Sequence, residues 1–148
     1  MLIQTLKALF GRDLNRLKQE INAYKDKSVI WHIERGIANS AGNLCLHLIG
    51  NLNTYVGAEL GGTGYVRHRE LEFSLKNIPR TELVAKIDET IHVVDNALDS
   101  LTAGQLDEEY PILVFDETTT TGYLLVHLTT HLTYHLGQIN YHRRLLDV

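Results

Sequence analysis

The chain has a single cysteine, Cys45, among its 148 residues. One thiol cannot close a disulfide within one chain, so a disulfide framework is excluded and a reducing cytoplasm fits. Positive charge is not in excess either. Fourteen Lys and Arg stand against eighteen Asp and Glu, for a net charge of -4. The basic footprint of a nucleic-acid binder is therefore missing. No stretch is long and apolar enough to span a bilayer. The first residues, "MLIQTLKALFGRDLNRLKQE", lack a basic segment followed by a continuous apolar block and a small-residue cleavage site, so they do not read as a signal peptide. Internal repeats, linkers and low-complexity tracts are also missing, and the expectation is one domain over residues 1–148 with neither nucleic acid nor membrane as partner.

What is present is helical periodicity. Hydrophobic residues make up 44% and charged residues 22%, a balance that supports one real core. Ile3, Leu6, Phe10, Leu14, Leu17, Ile21 and Tyr24 recur at steps of three and four and predict a helix over 2–26. A second helix is expected over 40–60, capped by Asn39 or Ser40 and ended by Gly61 and Gly62. Its run "LCLHLIGNL" is apolar nearly all round and calls for cover on every side. Val84, Ile87, Ile91, Val94, Leu98 and Leu101 mark a third helix over 81–101, with Thr81 as its cap. A fourth is expected over 122–146, after "TTTTG", with Leu125, Leu128, Leu132, Ile139 and Leu146 on its apolar stripe. Three connections are long. Residues 27–39 read as a packed loop around Trp31, 61–80 as a Gly-rich and then charged crossover, and 102–121 as a connection with an extended segment after Pro111. The fold class is all-α, a four-helix bundle with long crossover connections.

Four of the eight histidines fall in "HLTTHLTYHLGQINYH", residues 127–142. His127, His131 and His135 are one helical turn apart. With Leu125 set at 0° and about 100° per residue, the apolar stripe centres near 300°. His135 then falls at about 280° and His131 at about 240°, both facing the bundle, while His127 lies on the flank near 200°. His142 also points inward, but about 10 Å further along the axis, too far to share one ion with His135 directly. Two imidazoles need a third ligand, and the other histidine in a buried helix is His47. A lone His among Leu, Cys and Ile is expensive to bury unpaired, and a metal shared with His131 and His135 would satisfy it. Three neutral imidazoles leave positions open on the cation, as a catalytic site requires.

The combination of "NSAGNLCLHLIGNL", the "GGTGYVRHRELEFS" loop and "HLTYHLGQI" resembles the DinB/YfiT-like family of metal-binding four-helix bundles. The resemblance implies one divalent metal held by one His of the second helix and an H-x-x-x-H pair of the fourth, here His47, His131 and His135. It also implies a homodimer, which the cover demanded by the all-round apolar second helix supports, and, in some members, transfer reactions that use a low-molecular-weight thiol. The metal implied is zinc or nickel foremost, with iron, copper or manganese as further options, because imidazole ligands do not separate them.

Further candidates surround the triad. Gln138, one turn beyond His135, and Asn51, one turn beyond His47, could orient a ligand imidazole or hold a water. Arg67 and Arg69 could grip a substrate carboxylate, or they could belong to surface ion pairs with Glu70. Tyr134 and Tyr141 flank the His face as packing or interface residues. Cys45 lies on a different face from His47 and reads as inert core. The functional expectation is a metal-dependent transferase that presents a small thiol to an electrophile. A metal-dependent hydrolase and a non-catalytic metal-binding stress-response or interaction module are the alternatives. No H-E-x-x-H glutamate supports a zinc-protease reading.

Overall fold

Five α-helices and no β-strand build the computed structural model, which describes residues 1–148. Helix α1 (Leu2–Ala23) buries Leu6, Phe10, Leu14, Leu17 and Ile21, the residues of the expected stripe, against α4 (Arg80–Asp99) and α5 (Thr121–Leu146). Polar ties reinforce the α1–α5 seam. Asp13 is buried and accepts from Thr133 and Arg12, and Glu20 accepts from Asn140 and Arg143. Burial alone would raise the Asp13 carboxyl, but its hydrogen bonds from Arg12 and Thr133 outweigh that and hold it below the usual range.

Helix α2 (Ala41–Leu52) starts where Ser40 accepts the Asn43 amide at 3.1 Å. All twelve of its residues are buried, as an all-round apolar helix demands. The cover comes from α3 (Arg69–Ser74), α4, α5 and a 3₁₀ turn at Lys27–Trp31, all within one chain. The apolar surface of this helix therefore gives no ground for a dimer. Gly42 makes one of these contacts close: a Cβ there would sit 2.6 Å from the Trp31 ring. The expected helix to residue 60 changes character at Asn53, where a π-helical turn, Asn53–Ala58, carries the chain on.

Several boundaries and two connections differ from expectation. Helix α1 stops at Ala23, three residues short, and α4 begins at Arg80 after Pro79 with no side-chain cap from Thr81. The buried stripe of α4 runs through Leu83, Ile87, Thr90, Val94, Ala97 and Leu98, so Val84 and Ile91 sit on its shoulder, partly buried, and Leu101 lies beyond the helix end at Asp99. The segment 61–80 is not a plain crossover, because α3 forms within it. The extended pairing in 102–121 closes across Pro111, joining the residues just before it to Thr119 and Thr120, and does not run on from Pro111 itself. Glu109 bridges Thr120 and the Tyr110 amide reaches the Thr119 carbonyl at 2.8 Å, while 111–118 is bend and irregular chain. No helix is long and apolar enough to cross a membrane.

Candidate metal centre

Helices α2 and α5 face one another at His47, His131 and His135. His47 is buried, and the two α5 histidines are partly buried, as their helical angles predict. The Nε2 atoms converge: His131 Nε2 lies 3.2 Å from His47 Nε2 and 3.1 Å from His135 Nε2. One ligand atom from each of the three lies within 4.8 Å of the others.

The outer nitrogens decide the protonation. His47 Nδ1 is 3.0 Å from Glu72 Oε1, and His135 Nδ1 is 2.7 Å from Gln138 Oε1. Burial alone would raise the Glu72 carboxyl, but hydrogen bonds from His47 and Arg67 hold it below the usual range, so it is an acceptor only. Both Nδ1 atoms therefore carry the proton, and both Nε2 atoms present a lone pair to the same point. Arg67 Nη2 also lies 3.3 Å from His47 Nδ1, but two donors do not bond each other; both converge on Glu72 Oε1.

Three Nε2 atoms cannot all satisfy one another. His131 could donate one proton to one neighbour and would leave the other lone pair facing it. Burial, with the neighbouring His135 and His47, pushes the His131 imidazolium down to about 4, and burial lowers His135 as well. A divalent ion fits. Zn–N bonds of about 2.05 Å in a tetrahedron set ligand nitrogens roughly 3.3 Å apart, close to the separations about His131. His131 Nδ1, buried without a partner, is then the proton-bearing nitrogen.

The other candidates fall as follows. Gln138 meets His135 directly. Asn51 is buried, and its Oδ1 has no partner. Arg67 forks onto Glu72 through Nε and Nη2 at 2.8 and 2.9 Å and lies over the Tyr55 ring, so these two nitrogens are engaged within the protein. Arg69 is exposed and stacks on Phe73. His127 stands apart from the cluster with its ring edge-on to Phe115. His142 is buried two turns beyond His135 and ties Tyr24 Oη (2.7 Å) to the His32 carbonyl (2.8 Å). Tyr134 and Tyr141 are exposed. Cys45 is fully buried, and burial pushes its thiol up to about 12, which makes it inert.

The residue missed by sequence reasoning is Glu72. It sits on α3, which the periodicity did not reveal, and its carboxylate occupies space above Gly50, one turn from His47. A glycine one turn from a histidine inside an apolar helix was the available signal. Beside His135 opens a cleft of about 600 Å³, lined among others by Arg35, Ile37, Leu44, Tyr134, Gln138 and Tyr141. A larger hollow of about 870 Å³, between the Lys25–Ser28 segment and the start of α4, holds none of the clustered histidines.

The family model described as protein of unknown function (DUF1572) matches residues 2–147. No curated protein matches the chain.

Proposed function

We propose, for a chain that belongs to the DUF1572 family, that His47, His131 and His135 hold one divalent metal ion and that the protein uses it in transfer chemistry with a small thiol. The observation that carries the metal reading is the convergence of the three Nε2 atoms, two of them fixed as lone-pair donors by Glu72 and Gln138. The four long helices then form a four-helix bundle of the DinB-like kind, as the resemblance of the sequence implies.

A cation there supplies Lewis acidity: it lowers the pKa of a coordinating thiol or water enough to favour the anion near neutral pH. The chain's own contribution is charge and orientation. All three ligands are neutral, so none cancels the charge of the ion. Glu72 is paired with Arg67, so the outer pair adds no net charge. No carboxylate is placed as a general base, since Glu72 is turned to His47 and Arg67. That favours a nucleophile whose proton leaves readily, and a thiol with an ordinary pKa of about 8.5 suits this better than water. The cleft beside His135, with its Tyr, Leu and Ile walls, gives an electrophile an apolar seat. A homodimer and a cytoplasmic setting belong to the same proposal. Light scattering that shows only a species of 16.8 kDa would remove the dimer.

The test is spectroscopic. Elemental analysis of protein purified without a metal-binding tag should find one divalent ion per chain. Adding low-molecular-weight thiols to Co²⁺- or Ni²⁺-loaded protein should produce a sulfur-to-metal charge-transfer band and accelerate conjugation to an electrophilic dye. Both effects should vanish in His47→Ala. If no thiol perturbs the spectrum while an exchangeable water is shown at the ion, the thiol reading falls and metal-dependent hydrolysis takes its place.

A further inference from the structure

The three clustered histidines are not equally provided for. His47 Nδ1 meets Glu72 and His135 Nδ1 meets Gln138, but His131 Nδ1 is buried with no partner. Ligation through Nε2 leaves the proton on Nδ1, so in that state His131 presents a buried donor that needs an acceptor. An acceptor without a donor is also present. Asn51 Oδ1 is buried and unpaired, and so is Thr54 Oγ1 three residues later. Orphaned buried polar atoms are rare enough that each calls for an explanation.

The register of the helices sets Asn51 and His131 at one level. Residue numbers fall along α5 as they rise along α2: Leu44 shares a cleft wall with Gln138 and Tyr141, and His47 meets His131 and His135. Asn51 is one turn, about 6 Å, beyond His47 on the same face of α2. Continuing the register brings it to the level of His131. Asn51 cannot serve His47, whose Nδ1 is already held by Glu72.

We propose that Asn51 accepts the hydrogen bond of His131 Nδ1–H through one water shared with Thr54 Oγ1, and so sets the ligating tautomer of the third histidine. The inference rests on the metal reading above. Asn51 is then a positioning residue that acts through His131. The three ligands would be held from three elements: Glu72 of α3, Gln138 of α5 and Asn51 of α2.

Proton NMR of the Co²⁺-loaded full chain tests this. Imidazole N–H protons of cobalt ligands appear as isolated, strongly shifted signals that exchange with solvent. Wild-type protein should show three. Asn51→Leu, which removes the acceptor at similar size, should lose or broaden one of them through fast exchange and weaken Co²⁺ binding 10–100-fold. Asn51→Asp, which keeps an acceptor, should restore the third signal. Circular dichroism of the metal-free variants checks the fold, and Asn51→Ala is read in the same way if the Leu variant does not fold. Three signals in Asn51→Leu, with wild-type exchange and affinity, would overturn the role of Asn51 and leave the metal site standing. No shifted signals in wild-type protein would overturn the metal reading, and this inference with it.

Discussion

Glu72 fills the space that Gly50 leaves open: a Cβ at position 50 would lie 1.9 Å from Glu72 Oε2. The carboxylate that closes over the glycine also holds His47 Nδ1 at 3.0 Å and both arms of Arg67. Gly50→Ala should therefore push the carboxylate off His47 while the helix keeps its fold, since alanine favours the helical state by about 1 kcal/mol over glycine. The expected outcome is metal affinity down 10–100-fold with little change in the metal-free melting temperature. Isothermal titration paired with thermal unfolding separates the two effects. Equal loss in both would mean that Gly50 serves packing alone.

His131→Ala and His135→Ala should each abolish stoichiometric metal binding. His127→Ala should leave it intact, because His127 packs on Phe115 and contributes no atom to the cluster. Metal content after gel filtration reads this directly. Loss in His127→Ala with retention in His131→Ala would move the ligand pair by one turn.

Metal-free protein should lose stability as pH falls below neutral. Burial lowers the His131, His135 and His142 imidazoliums in the folded chain, His131 to about 4 against an ordinary value of 6.5. The unfolded chain then binds more protons than the folded one between about pH 6.5 and 4, so stability rises with pH through that window and levels off above it. Asp13, Glu20 and Glu72, held below the usual carboxylate range in the folded state, add a further loss at lower pH. Urea midpoints across pH 4–7.5 should climb. A flat profile would contradict the buried, neutral histidines.

Tyr24→Phe should cost about 1–3 kcal/mol, because it strips the only hydrogen bond from a buried ring nitrogen of His142. Metal affinity should stay at the wild-type level, since His142 serves the junction between α5 and the Tyr24–His32 segment. Denaturant unfolding checks the first part and titration the second. A matching loss of affinity would place His142 in the functional machinery.

The long helices were legible in the sequence because each buries one stripe at a period of 3.6 residues, a pattern that local spacing alone carries. The all-helical class followed, and so did a cap at Asn39 or Ser40, which the structure assigns to Ser40, and a cap within the threonine run before the last helix, which it assigns to Thr120. The facing pair His131 and His135 was legible for the same reason, since helical angle follows from sequence separation. Other features were not, because they depend on what packs against what. A six-residue helix such as α3 has too few turns to show a period, so Glu72 could not be placed over Gly50. Arg67 was legible as a charge but not as the partner of that carboxylate. The all-round apolar α2 announced its burial, but only the tertiary arrangement decided that α3, α4 and α5 of the same chain cover it. The His47–His131 contact spans 84 residues. Periodicity could nominate both histidines; only the antiparallel register of α2 and α5 could bring their Nε2 atoms to one point, because interhelical distance is set by the packing of whole helices and not by any local run of residues.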